Sequence, residues 1–190
     1  MCGILALISP SAAIGSGATD AIRDTLLHRG PDAGVTWIHP RGGLALAHRR
    51  LSIIDISHEA DQPMVSADGS LRIVFNGEIY NYRELRSELV AGGATFRTRS
   101  DTEVLLEGFA AWGDKVLNRI NGMFAFAIWD ERRKQLFVAR DRFGEKPLFV
   151  GRGPDGLTPR ETLGRIRVRA FELLQEESRI WAAELKPALA

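Results

Sequence analysis

The chain has 190 residues, 45% of them hydrophobic and 26% charged, which is enough for one domain with a buried core. A formal net charge of +1 gives no electrostatic reason to expect nucleic acid or a membrane surface as partner, and a single cysteine excludes an internal disulfide and a multi-cysteine zinc site. His28, His39, His48 and His58 show no tight ligand spacing, so no metal is expected, and without a long apolar run or a basic leader the expected compartment is the cytoplasm.

Residues 2–9 form a short apolar run ended by Ser9-Pro10 and read as a buried strand. Between Ala18 and His28, Ile22, Leu26 and Leu27 recur at helical spacing, with Thr19 or Asp20 available as a cap. Strand-like segments follow at 34–38, 43–49 and 71–76, separated by Gly and Asp turns. Leu85, Leu89 and Val90 mark a helix from about Asn81 to the Gly92-Gly93 pair. Ser100-Asp101-Thr102-Glu103 opens another, which carries Val104, Leu105, Leu106 and Phe109 and closes at Gly113. Met123–Trp129 and Gln135–Ala139 read as strands joined by the polar turn 130–134. Gly151 to Pro159 is loop-like, and Leu163, Ile166, Phe171 and Leu174 give Arg160–Arg179 the pattern of an amphipathic helix. Strands in adjacent groups with helices between the groups predict antiparallel sheets packed with helices, an α+β fold.

The start of the chain, Met1-Cys2-Gly3, carries the chemistry. Removal of Met1 leaves a thiol and a free α-amine on one residue. The amine titrates near ~8 and the thiol near ~8.5 in model compounds, so the amine can take the thiol's proton near neutral pH. Five further segments give Cys2 its meaning: His28-Arg29-Gly30-Pro31-Asp32; Ala47-His48-Arg49-Arg50-Leu51-Ser52-Ile53-Ile54-Asp55; Phe75-Asn76-Gly77-Glu78-Ile79-Tyr80-Asn81; Arg99-Ser100-Asp101-Thr102-Glu103; and Arg140-Asp141-Arg142-Phe143-Gly144-Glu145-Lys146-Pro147-Leu148. Each is ordinary by itself. Asn76-Gly77 is a hairpin signal, Asp101 a helix cap, and Arg49-Arg50 a solvated basic pair.

Together and in this order, the segments resemble the glutaminase domain of class II glutamine amidotransferases, the N-terminal-nucleophile group, and within it the asparagine synthetase branch. The resemblance covers about residues 2–150 and resumes at Ile180-Trp181-Ala182-Ala183-Glu184-Leu185-Lys186, so that 151–179 reads as an atypical insertion and 180–190 as the family-like end of one domain over 2–190. It implies a four-layer αββα sandwich of two stacked antiparallel sheets. It further implies that Cys2 attacks the side-chain amide of glutamine, giving a γ-glutamyl thioester and ammonia, with the Asn76 side chain and the Gly77 backbone N–H as the oxyanion hole. Arg50 would pair with the substrate α-carboxylate, and Asp101 with Glu78 would hold its α-ammonium. Leu51, Ile53 and Ile54 complete the implied substrate-binding set. His28 and His48 read as structural, because an α-amine base leaves no task for an imidazole.

The implied function is glutamine hydrolysis supplying nitrogen for asparagine-synthetase-type amidation, with L-glutamine as substrate and a synthetase domain or subunit as ammonia acceptor. The alternative is a non-catalytic or partner-dependent glutamine-binding module left from a truncated asparagine synthetase. No cofactor is expected in this domain: ATP and Mg belong to the family's synthetase domain, whose Ser-Gly-Gly-Leu-Asp-Ser loop is missing from these 190 residues.

Overall fold

Side-chain alternation along one central strand decides the layer order. The structure is a computed structural model that describes residues 2–9, 14–51 and 58–150, with the backbone of 165–169. Met1, residues 10–13, residues 52–57 with Ile53 and Ile54, and residues 151–164 and 170–190 lie outside the described residues, so that of the expected insertion only 165–169 is described. Strands β1 (Gly3–Ile8), β2 (Ala33–Ile38) and β3 (Leu44–Arg50) form a three-stranded antiparallel sheet in the order β1-β3-β2. In β3, Leu44 and Leu46 point into a cluster shared with Val74, Ala127, Trp129 and Leu136 of a second sheet, while Ala45 and Ala47 point the other way. Those alanines leave room for helix α1 (Ser16–Asp24), which covers the outer face.

The second sheet runs β4-β5-β6-β7-β8, with β4 Met64–Val65, β5 Leu71–Ile79, β6 Gly122–Asp130, β7 Gln135–Arg140 and β8 Arg165–Arg169. One face meets the first sheet. From the other, Ile73, Phe75, Phe124, Phe126, Ile128 and Phe137 pack under helices α2 (Tyr82–Ala91) and α3 (Asp101–Trp112). Burying an aromatic or branched side chain of this kind stabilises by roughly 1.5–3 kcal/mol each, so this face is the main core. The layers are therefore helix, sheet, sheet, helix, as the resemblance implied.

Four details differ from the sequence reading. Residues 165–169 form a strand, not part of a helix, and pair parallel to β7, so the larger sheet is antiparallel except at this edge. Ile166 and Val168 alternate with Arg165, Arg167 and Arg169, a period of two that suits an edge strand. Helix α1 starts earlier, capped at Gly15, and Thr19 Oγ1 instead donates to the Gly15 carbonyl at 2.9 Å. Ile22 and Leu27 are 45% and 50% exposed, leaving Leu26 as the apolar anchor above Gly3. Finally, β5 continues through Asn76 and Gly77 to Ile79, so Asn-Gly lies inside a strand paired with Ala125 and Phe124 and makes no turn. Among the described residues, no helix is long and apolar enough to cross a membrane.

Candidate active site

The layer between the sheets ends in a cleft of about 120 Å³, and alternation explains which side chains reach it. Cys2 shares its face of β1 with Ile4, Ala6 and Ile8; Arg50 shares its face of β3 with Leu44, Leu46 and His48; Asn76 shares its face of β5 with Val74. Cys2, Arg50, Leu51, Asn76, Gly77, Glu78 and Asp101 all line this one cleft. Ile53 and Ile54 lie outside the described residues. The same alternation separates the arginine pair. Arg49 turns to the outer face, where Nε donates to the Gly30 carbonyl at 2.9 Å and Nη1 sits 3.5 Å from Asp24.

The Cys2 sulfur accepts a hydrogen bond from the Leu51 backbone N–H at 3.4 Å. The Cys2 carbonyl accepts from Arg29 Nε at 3.1 Å, a tether the sequence reading did not assign. Gly3 and Gly30 permit this crowding: a Cβ on Gly30 would lie 2.4 Å from the Arg49 carbonyl carbon, and one on Gly3 2.7 Å from Leu26 Cβ.

The backbone of β5 supplies a row of donors. Phe124 sends both its N–H and its C=O to Asp141, at 3.1 and 2.7 Å, so its opposite residue Gly77 is in a pair without ladder bonds. The amides of Phe75, Gly77 and Ile79 consequently point away from β6. Strand β4 is too short to receive them. Gln62 Oε1 accepts from Phe75 N–H at 2.6 Å and Asp101 Oδ2 from Ile79 N–H at 2.9 Å. The Gly77 amide lies between the two, at the cleft. A side chain there is impossible without moving β6, because a Cβ would stand 2.3 Å from the Met123 carbonyl oxygen. The Asn76 side chain is 4% exposed and makes no hydrogen bond among the described residues. No buried side-chain nitrogen or oxygen there lacks a partner, so the polar atoms of Asn76 open onto the cleft.

Charge is arranged at two ends. Arg50 is buried, with Nη1 paired to Asp61 Oδ1 at 2.5 Å. Asp101 is also buried, at the first turn of α3, where Ser100 caps by accepting from the Glu103 N–H. Burial pushes the Asp101 carboxyl up to about 6, against the opposing hydrogen bond from Ile79, and the neighbouring Glu78 charge adds to the rise. Glu78 itself is exposed at the rim. His48 stays out of the chemistry: burial lowers it to about 4, and its Nε2–H donates to the Phe75 carbonyl at 3.2 Å. This neutral imidazole ties the two sheets together.

Residues beyond the sequence reading complete the walls. Gln62 bridges Phe75 N–H and Thr102 Oγ1, and Lys146 is brought into the cleft by a loop wound around Asp141, whose carboxylate accepts from the amides of Phe124, Phe143, Glu145 and Lys146. The Asp-Arg-Phe-Gly-Glu-Lys segment stood out as a motif, but nothing in it says that one aspartate organises four backbone amides. Among the described residues, no cluster of His, Cys, Asp and Glu is arranged to hold a metal ion.

Comparison with known proteins gives the family of the chain. A family model described as "Glutamine amidotransferase domain" matches residues 1–159. A Mycobacterium tuberculosis protein that carries the name "putative asparagine synthetase (glutamine-hydrolyzing)" is 46% identical over 172 residues, 82% of this chain and 26% of that protein. The glutamine-hydrolyzing asparagine synthetase 3 of Bacillus subtilis is 44% identical over 132 residues, 68% of this chain and 21% of its own. The chain thus spans about a quarter of the length of these curated relatives. Among solved structures, the glutamine phosphoribosylpyrophosphate amidotransferase of B. subtilis, complexed with ADP and GMP, superimposes with a TM-score of 0.51 at 31% identity, over 60% of this chain and 26% of that one. On these grounds the chain belongs to the glutamine amidotransferase domain family.

Proposed function

We propose that this chain hydrolyses L-glutamine through a thioester on Cys2 and supplies the ammonia to an asparagine-synthetase-type amidation carried out by a synthetase domain or subunit. The observation that carries the reading is the meeting in one cleft of a sulfur, an outward backbone amide, a buried guanidinium and a buried carboxylate. A free amino acid carries an α-carboxylate and an α-ammonium at fixed separation, and Arg50 and Asp101 offer one counter-charge for each. Glu78 adds negative charge on the ammonium side.

With Met1 removed, the Cys2 α-amine takes the thiol proton as sulfur attacks the side-chain amide carbon. The oxygen's developing charge is met by the Gly77 N–H and the Asn76 side-chain amide. The α-ammonium returns its proton to the departing nitrogen, releasing ammonia and leaving the γ-glutamyl thioester. Water, deprotonated by the same amine, attacks the thioester, and glutamate leaves as the thiol is restored. The net reaction is glutamine plus water to glutamate plus ammonia, with no cofactor consumed. A catalytic thiol that must stay reduced suits the cytoplasm.

The relatives' names support asparagine synthesis as the use of the ammonia. The test is glutamate release from glutamine by the purified chain, with intact mass read on the same sample. Turnover that tracks the Met1-free mass and is lost in Cys2→Ala supports the reading; turnover retained in Cys2→Ala overturns it. Supplying aspartate, ATP and amide-¹⁵N glutamine with a separate synthetase should then place label in asparagine.

A further inference from the structure

Arg50 is held from behind. Its Nη1 contacts Asp61 Oδ1 at 2.5 Å, and the second carboxylate oxygen accepts from His58 Nδ1 at 3.0 Å. The Arg50 and Asp61 side chains are 9% and 20% exposed, whereas His58 is 98% exposed. Asp61 is also mounted firmly. Its N–H donates to the His58 carbonyl at 3.1 Å, and the next residue, Gln62, is buried and bonded at both ends to Phe75 and Thr102.

We infer that Asp61 is a positioning residue for the substrate's α-carboxylate: it fixes the Arg50 guanidinium in the orientation in which that carboxylate meets it. This role rests on the substrate assignment of Arg50 above. Two effects of Asp61 oppose each other. Its negative charge reduces the attraction of Arg50 for a second carboxylate, and its contact removes side-chain freedom that substrate would otherwise have to remove. The contact uses one nitrogen of a planar five-donor fork, so Asp61 does not exhaust the donors of Arg50. The second oxygen of Asp61 accepts from His58 Nδ1, which offsets part of its charge and leaves the geometric restraint intact. The restraint therefore wins, and loss of Asp61 weakens substrate binding.

The test measures glutamine affinity by calorimetry in the Cys2→Ala chain, where binding is read without turnover. A ligand lacking the α-carboxylate, L-glutamine α-amide, is run beside it. Asp61→Asn should weaken glutamine by about tenfold, the lower end of what losing a group that orients a metal-binding side chain costs, and leave the α-amide unchanged. Asp61→Glu should restore most of the loss. In the active chain Asp61→Asn should raise KM about tenfold with kcat nearly constant. Equal or tighter glutamine binding by Asp61→Asn overturns the role, as does an equal loss for both ligands, which would mean a general structural defect. No glutamine binding by the Cys2→Ala parent overturns the glutaminase reading and this role with it, so the two failures are distinct.

Discussion

The backbone N–H of Leu51, one residue beyond β3, donates to the sulfur of Cys2, one residue before β1, across 3.4 Å. Strands β1 and β3 pair with Gly3 opposite Arg49, and this register brings the two flanking residues together. Sheet pairing, rather than a loop, therefore sets the sulfur's position. Replacing Cys2 should then remove chemistry without removing the fold. Cys2→Ala is expected to lower glutamate release by about 10⁴-fold or more while the melting temperature stays close to the parent's. Kinetics and a thermal melt on the same preparation check this, and a large drop in melting temperature would contradict it.

Gly77 is expected to be intolerant of any side chain. In Gly77→Ala the new methyl group would meet the Met123 carbonyl oxygen and the Phe124 backbone, which belong to the sheet and do not swing aside. The cost is on the order of 1–3 kcal/mol from overpacking, read as an earlier denaturation midpoint. Because the shift displaces the amide at the cleft, kcat should fall by more than stability alone explains. An alanine variant with parental stability and kcat would show that β5 and β6 have more freedom than this contact allows.

Substrate binding should depend on pH through Asp101. Its carboxyl titrates near 6 in the free protein, because burial disfavours its charge. An α-ammonium needs the ionised form, so glutamine affinity should fall by about tenfold per pH unit below about 6. In Asp101→Asn affinity should be low and nearly independent of pH between 5 and 7. Titration calorimetry across that range decides it; a wild-type affinity flat from pH 7 to 5 would remove Asp101 from ammonium recognition.

The same carboxyl should lower stability at neutral pH. A carboxyl at about 6 when folded and about 3.9 when unfolded contributes stability that is fully present below about 4 and lost as pH rises through 6. Asp101→Asn escapes that loss, so at pH 7 it should gain up to about 3 kcal/mol over wild type, an advantage that shrinks toward pH 4. Its asparagine oxygen can still accept from Ile79. Denaturation at several pH values checks this, and an Asp101→Asn difference independent of pH would contradict it.

His48 acts in the opposite sense. Held neutral down to about 4 by burial, against about 6.5 when unfolded, it contributes stability above 6.5 that is lost as pH falls toward 4. In wild type the two groups nearly cancel between about 4 and 6. In Asp101→Asn the His48 contribution is no longer offset by Asp101, and it should lower stability by roughly 3 kcal/mol from pH 6.5 to 4. A flat profile in that variant would mean that burial does not hold His48 neutral over this range.

Motif order, apolar spacing and helix caps carried most of this domain in the sequence itself. The residues Cys2, Arg50, Asn76, Gly77 and Asp101 were legible through the order of motifs that resembles the family, and α3 because Ser100 and Glu103 form a capping pair whose reach is local. What the tertiary structure decided is everything set by long-range register. Alternation sends Arg50 into the cleft and Arg49 away from it, yet only the stacking of two sheets says which face is the cleft. Asn76-Gly77 carries the local signal of a turn and becomes strand because β6 pairs across it. The donor row on β5, the Asp61 contact behind Arg50 and the four amides around Asp141 join residues distant in the chain or bent around one side chain. Local preferences extend over a few residues, whereas these contacts exist only once the sheets have closed on each other.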